Sequence, residues 1–142
     1  EKVKGITETT LTKVRAALAA GVASGEGADK LAQRVAETFK GFTAHRSLVI
    51  ARTEIIGAAN FGSQEGARQT GLPLKKEWIE TFDDRTRDTH RPESEGGVGG
   101  QLRKMDAPYS NGLMFPGDPR GSAQEIIQCR CAEGYHVDKG DQ

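Results

Sequence analysis

The stretch Trp78-Ile79-Glu80-Thr81-Phe82-Asp83-Asp84-Arg85-Thr86-Arg87-Asp88-Thr89-His90 decides how this chain is read. Upstream of it, apolar residues recur every three or four positions. At its start they switch to alternation: from Lys75 to Phe82, side chains Trp78, Glu80 and Phe82 share one side, the period of a strand. Asp83 and Asp84 then read as a cap for a short helical turn through His90, and Pro92 prevents its continuation. The switch of period predicts an α+β chain, with an N-terminal three-helix segment followed by a small, irregular antiparallel sheet.

Working back from the switch, three helices are predicted. Leu11, Val14, Leu18 and Val22 form an apolar stripe preceded by Thr7 as cap and Glu8 as first-turn acid, with Gly21 and the Gly25–Gly27 pair as its end. Ala28, Leu31, Val35 and Phe39 form a second stripe stopped by Gly41. The longest helix starts from Thr43 and places Leu48, Ala51, Ile55, Ala58 and Gly62 on one face. Its small residues Ala58, Ala59 and Gly62 would let another backbone approach closely. Gly71 and Pro73 close it.

Working forward, Glu93–Gly100 reads as a Gly-rich loop with little structure of its own. Leu113–Phe115 reads as a short strand ended by the turn Pro116-Gly117-Asp118-Pro119. Ser122 and Glu125 have capping-box spacing for one helical turn, and Ile126–Cys131 reads as the final strand. There are no internal repeats. At 142 residues the chain has the length of one domain, with a helical half at 6–71 and a β-rich half at 74–137.

Composition narrows the function classes. Hydrophobic content is 35% and Gly accounts for 18 residues, which implies a modest core and many turns. Lys+Arg and Asp+Glu balance at 20 each, so there is no bulk positive field and any nucleic-acid contact must be local. No apolar run approaches the ~20 residues that span a bilayer, and no signal peptide is visible. The first residue is Glu1 rather than Met, which reads as a piece of something longer. Two cysteines one residue apart rarely satisfy disulfide geometry, so a reducing compartment is expected.

Two clusters could carry chemistry. Cys129 and Cys131, at i and i+2 on a strand, would point their thiols to one face, with His90 as the natural third ligand of a metal such as zinc. His136, Asp84, Asp88 or water could be the fourth. The alternative is a pair of small, buried, reduced core residues. The acid–arginine run Asp83–His90 invites a second pair of readings. Arg85, Arg87 and His90 could hold a phosphate and move a proton, as in a small metal-independent nuclease. Alternatively the run is a polar network that pins the irregular half. Glu54, in the mid-helix Arg52-Thr53-Glu54, could reach an arginine of the second half, and Trp78 reads as a core anchor.

In order and approximate spacing, several motifs resemble those of the phage Mu F-like minor head proteins, a head-morphogenesis family. They are Ile50-Ala-Arg-Thr-Glu-Ile55, Asn60, Lys76-Glu-Trp78, Asp83–His90, Met114-Phe-Pro-Gly-Asp-Pro119 and Cys129-Arg-Cys131. The resemblance covers about residues 6 to 135. It implies a minor capsid component of a tailed phage or prophage, located in the virion or in the bacterial host cytoplasm during assembly. The implied partners are portal, capsid and scaffold proteins, with DNA contact during packaging or ejection. It implies no catalytic activity, no small-molecule substrate and no membrane. Carried over position by position, the signature here is Arg52, Glu54, Asn60, Trp78, Asp84, Arg85, Thr86, Arg87, His90, Pro116, Asp118, Pro119, Cys129, Arg130 and Cys131. One stretch departs from the pattern: Arg91–Gly97 stands where members usually carry an L-D-G-type turn. A delivery module fused to toxins is a further reading of such a domain.

Overall fold

The computed structural model describes residues 7–140. Helix α1 spans Glu8–Ala23, α2 Ala28–Thr38 and α3 Ala44–Gln69. As the sequence predicts, Thr7 caps α1: its Oγ1 accepts the Thr10 N–H at 3.1 Å, and Thr43 does the same for Arg46 at the start of α3. Gly21 does not end α1. It lies within the helix where α2 crosses, and a Cβ there would sit 2.4 Å from Leu31 Cδ2. Val14, Leu18, Leu31, Ala32, Val35, Ile50 and Ala51 form the core of this half, with Phe39, Phe42, Leu48 and Ile55 packed against it.

The face that α3 buries differs from the one its hydrophobic pattern predicts. The buried line is Ser47, Ile50, Ala51, Gly57, Asn60 and Gln64, whereas Ala58, Ala59 and Gly62 are exposed. The first turns pack on helices. The last turns pack on the β-rich half through polar side chains, which a search for apolar periodicity passes over. The close backbone approach occurs at Gly57, where an added Cβ would lie 2.6 Å from the Gly117 carbonyl oxygen.

In the second half, β1 (Leu74–Ile79) is the middle strand of an antiparallel sheet between β2 (Leu102–Lys104) and β3 (Ala132–Val137). Lys76 pairs with Arg103 on one side, and Trp78 pairs with Glu133 on the other. Three expectations are corrected here. β1 stops at Ile79 because the chain turns at Thr81–Asp83, which leaves Phe82 85% exposed rather than on the Trp78 side. Leu113–Phe115 is a bend, and the third strand is instead the short β2. The final strand starts after Cys131, because Gln128 adopts φ 55 and breaks the extended run.

This half has its own small core: Trp78, Val98, Tyr109, Leu113, Cys129 and Cys131, with Ile126 alongside. Val98 comes from the Gly-rich loop, which is therefore packed rather than structureless. It is fully buried, and its N–H donates to Thr89 O at 3.0 Å. Next to this core lies a buried polar network that joins α3 to the sheet. Glu133 accepts hydrogen bonds from Tyr109 (2.9 Å), Tyr135 (2.9 Å) and Gln64 (3.0 Å). The Lys76 ammonium donates to Met114 O at 2.5 Å and stands 5.0 Å from the Tyr109 ring centroid. Burial holds Lys76 below its ordinary value and pushes Glu133 up. Among the described residues, no helix is long and apolar enough to cross a membrane.

Candidate metal centre

His90 ends a 3-10 turn, Asp88–His90, set off from β1 by the Asp83–Arg87 segment. Cys129 and Cys131 sit between the one-turn helix α4 (Ala123–Ile126) and β3. They lie in an irregular connection rather than on a strand, yet the sulfurs still converge. His90 Nδ1 is 3.4 Å from Cys131 Sγ and 3.8 Å from Cys129 Sγ, and the three ligand atoms lie within 4.8 Å of one another. All three side chains are at most 3% exposed.

The donor set suits zinc. Bond lengths of about 2.3 Å to sulfur and 2.0 Å to nitrogen put tetrahedral ligand atoms about 3.5–3.8 Å apart, close to the two observed His–Cys separations. His90 Nε2 is 2.9 Å from Glu125 Oε2, and Asn111 Nδ2 donates to the same oxygen at 3.3 Å. A carboxylate behind a histidine fixes the tautomer that leaves the other ring nitrogen free to ligate. Burial works to raise the Glu125 carboxyl, but hydrogen bonds from His90, Thr89 and Asn111 outweigh it and hold the group low. The two thiols titrate as a pair: the hydrogen bond between them favours a thiolate on Cys131 and keeps the proton on Cys129, an effect that burial reinforces there. His90 and the Trp78 N–H add to the thiolate preference at Cys131. Trp78 Nε1 is otherwise a buried donor with no ordinary partner. Its ring meets His90 edge-on at 4.8 Å and Tyr109 at 5.1 Å.

The other ligand candidates are not at this centre. His136 is exposed and pairs with Glu77 at 2.5 Å, and Asp84 and Asp88 are exposed. The helical turn expected from the Ser122–Glu125 spacing is α4, although Ser122 makes no side-chain cap bond and the Glu125 carboxylate serves His90 instead.

The acid–arginine run is a scaffold around this centre. Asp83, rather than the flagged Asp84, is its hub. It pairs with both ends of the Arg130 guanidinium at 2.6 and 2.7 Å and accepts the Arg85 N–H at 3.0 Å. The Arg130 pairing, first of all, holds its carboxyl well below the usual carboxylate range. Thr86 is buried and donates to Thr81 O, while Arg87 donates to Gln124 O and, at 2.7 Å, to Ile127 O. Arg85 projects outward, 77% exposed.

The remaining signature positions tie the halves together or line their junction. Asn60 Nδ2 donates to Pro116 O and Cys131 O, both at 3.0 Å. The buried Asp118 accepts the Met114 N–H at 2.9 Å and the Arg120 N–H at 3.1 Å, closing the turn that Pro116 begins and Pro119 leaves exposed. Arg52 is exposed, and Glu54 pairs with Arg15 of α1 at 2.9 Å rather than with an arginine of the second half. Sequence reasoning missed Gln64, Tyr109 and Glu133, which match no motif, and gave Lys76 no role beyond its place in the Lys76–Trp78 motif. The signal available was a lysine and a glutamate at inward positions of paired strands.

The family model of the phage Mu protein F like proteins matches residues 12–133. The chain belongs to this family. The matched span contains the arginine, histidine and cysteine motifs described above. The chain is also similar to the NAD(+)–arginine ADP-ribosyltransferase EFV of Enterococcus faecalis, at 32% identity over 98 residues. That match covers 66% of this chain and 19% of the relative, so the chain corresponds to about a fifth of that protein's length. No solved structure matches.

Proposed function

We propose that this Mu F-like domain is a structural component of head morphogenesis in a tailed phage or prophage. In this reading it associates with portal and procapsid, and its His90–Cys129–Cys131 centre holds zinc to brace the β-rich half. The observation that carries the reading is the closed nature of the centre. His90 is 1% exposed, with one ring nitrogen on Glu125 and the other facing two buried sulfurs, so no substrate reaches it. Three protein ligands leave one position of a tetrahedral zinc open, so the structural role rests on the burial of the centre and not on its ligand count. The nuclease alternative is disfavoured for the same reason: its base is enclosed, and Arg87 is committed to backbone carbonyls. The transferase match covers 19% of that protein, which agrees with a unit that is combined with other activities.

Two measurements test this reading. Mass spectrometry and a density map of purified heads from the encoding phage should find the chain in the particle beside the portal, and its absence from heads and procapsids overturns the assembly role. Elemental analysis of protein purified without added metal should give about one zinc per chain, lost in Cys129→Ser together with stability of the second half. A folded protein with less than about a tenth of an equivalent removes the metal from the reading. Turnover of NAD or cleavage of RNA or DNA that disappears in His90→Ala, with the fold intact, would replace the structural role by an enzymatic one.

A further inference from the structure

A groove of about 870 Å³ runs between the helical half and the β-rich half, with the candidate ligand Cys129 among its lining residues. Its floor is aliphatic, with Val22, Ile55, Ile56 and Ile127 among its lining residues, and Val22 is 53% exposed there. Four guanidinium groups line it from three directions: Arg52 of α3, Arg85 and Arg87 of the segment after β1, and Arg130.

The charge on this lining is not balanced locally. Glu26 is the one acid that lines the groove, and Arg34 holds it with contacts of 2.5 and 2.7 Å. Asp83 is taken by Arg130, which leaves Arg85 at 3.8 Å from the same carboxylate. Arg87 donates to neutral carbonyls, which satisfy its hydrogens without cancelling its charge. Arg52 is exposed and makes no ion pair among the described residues. Three guanidiniums therefore lack a carboxylate of their own, in a chain whose formal net charge is zero. The wall carrying Arg130 is held in place: Gln128, in the left-handed region at φ 55, donates its N–H to Thr53 Oγ1 of α3 at 3.1 Å.

We propose that this groove docks an acidic amphipathic segment of a partner protein. Its apolar side chains would lie on the aliphatic floor and its carboxylates would pair with Arg52 and Arg85, with the uncancelled charge of Arg87 behind them. Guanidinium forks bind carboxylates with two parallel hydrogen bonds, and an amphipathic helix in a groove is a common mode of peptide recognition. A nucleic-acid strand fits less well. No aromatic side chain lines the groove to stack a base, and a phosphate backbone has no use for an apolar floor. The docking follows from the groove's own chemistry, so it can fail while the head-protein role stands.

Fluorescence anisotropy tests it with three labelled helical peptides of about 18 residues, long enough for several turns. They share a leucine stripe and carry Glu, Gln or Lys on the flanks, and a dT oligonucleotide serves as the nucleic-acid probe. The Glu peptide should bind at least tenfold more tightly than the Gln peptide, and the Lys peptide should not bind. The double variant Arg52→Glu/Arg85→Glu and, separately, Val22→Asp should each weaken the Glu peptide about tenfold or more with thermal unfolding unchanged. Raising the salt should weaken the wild-type interaction, which keeps the test valid if a variant fails to fold. The proposal is overturned by equal affinity for the Glu and Gln peptides, by salt-independent binding or by tighter binding of the oligonucleotide. Absence of Glu-peptide binding up to about a millimolar also overturns it.

Discussion

Two glycines of one helix face opposite fates if they gain a methyl group. At Gly57 the new Cβ would meet the Gly117 carbonyl oxygen at 2.6 Å, and backbone cannot swing aside as a side chain can. At Gly62 nothing lies within 4 Å. Gly57→Ala is therefore expected to destabilise by about 1–3 kcal/mol through overpacking. Gly62→Ala is expected to stabilise by about 0.5–1 kcal/mol through helix propensity alone. Urea unfolding of the two variants checks this, and equal shifts would show that the helix does not meet the turn at Gly57. Asn60, three residues along the same face, shows why the junction tolerates so little change: one amide nitrogen serves two carbonyls from different parts of the β-rich half.

Among the elements, the turn from Phe115 to Asp118 is the one whose chemistry depends most on pH. Pro116 followed by Gly117 at φ 80 is the pattern of a type II turn, and Asp118 N donates to Phe115 O at 3.1 Å. Burial alone would raise the Asp118 carboxyl, but hydrogen bonds from Arg120 and from the Met114 and Arg120 amides bring it below its ordinary 3.8. Because the folded value lies below the unfolded one, the unfolded chain takes up the proton first. This stability is complete above 3.8 and is lost as pH falls through and below that value. Asp118→Asn should cost about 1.5–3 kcal/mol near neutral pH, mostly from the two amide bonds, since the Arg120 partner is 70% exposed and contributes little. It should also flatten the acid limb of a plot of stability against pH. An unchanged acid limb would assign that limb to other carboxylates, Asp83 first.

For the whole molecule, the decisive feature is that two small cores share one long helix. The helical core and the Trp78 core are separate clusters, and α3 meets the β-rich half through Gly57, Asn60 and Gln64 and through the Phe61–Phe115 ring contact at 5.7 Å. Units joined in this way can open separately. With the metal centre loaded, a chelator should speed hydrogen exchange at the amides of β1 and β3 while α1 and α2 keep their protection. Uniform loss of protection would mean that the halves unfold as one body and that the centre braces both.

The sequence alone settled the order of parts, because short-range physics sets them. Three- and four-residue spacing, Thr caps and terminal glycines made α1, α2 and α3 legible, and alternation around Trp78 marked β1. The family was legible too, since its motifs are local strings. The His90–Cys129–Cys131 grouping could be anticipated from ligand types, though not its strandless geometry or its backing by Glu125. Other features depended on partners distant in sequence. Asp83 rather than Asp84 became the hub because Arg130 lies 47 positions away. Glu133 and Lys76 could be buried only because two tyrosines, a glutamine and a carbonyl reach them, and no local pattern records such satisfaction. The face of α3 shifted for the same reason: polar residues that find buried partners behave as core, and only the folded chain supplies those partners.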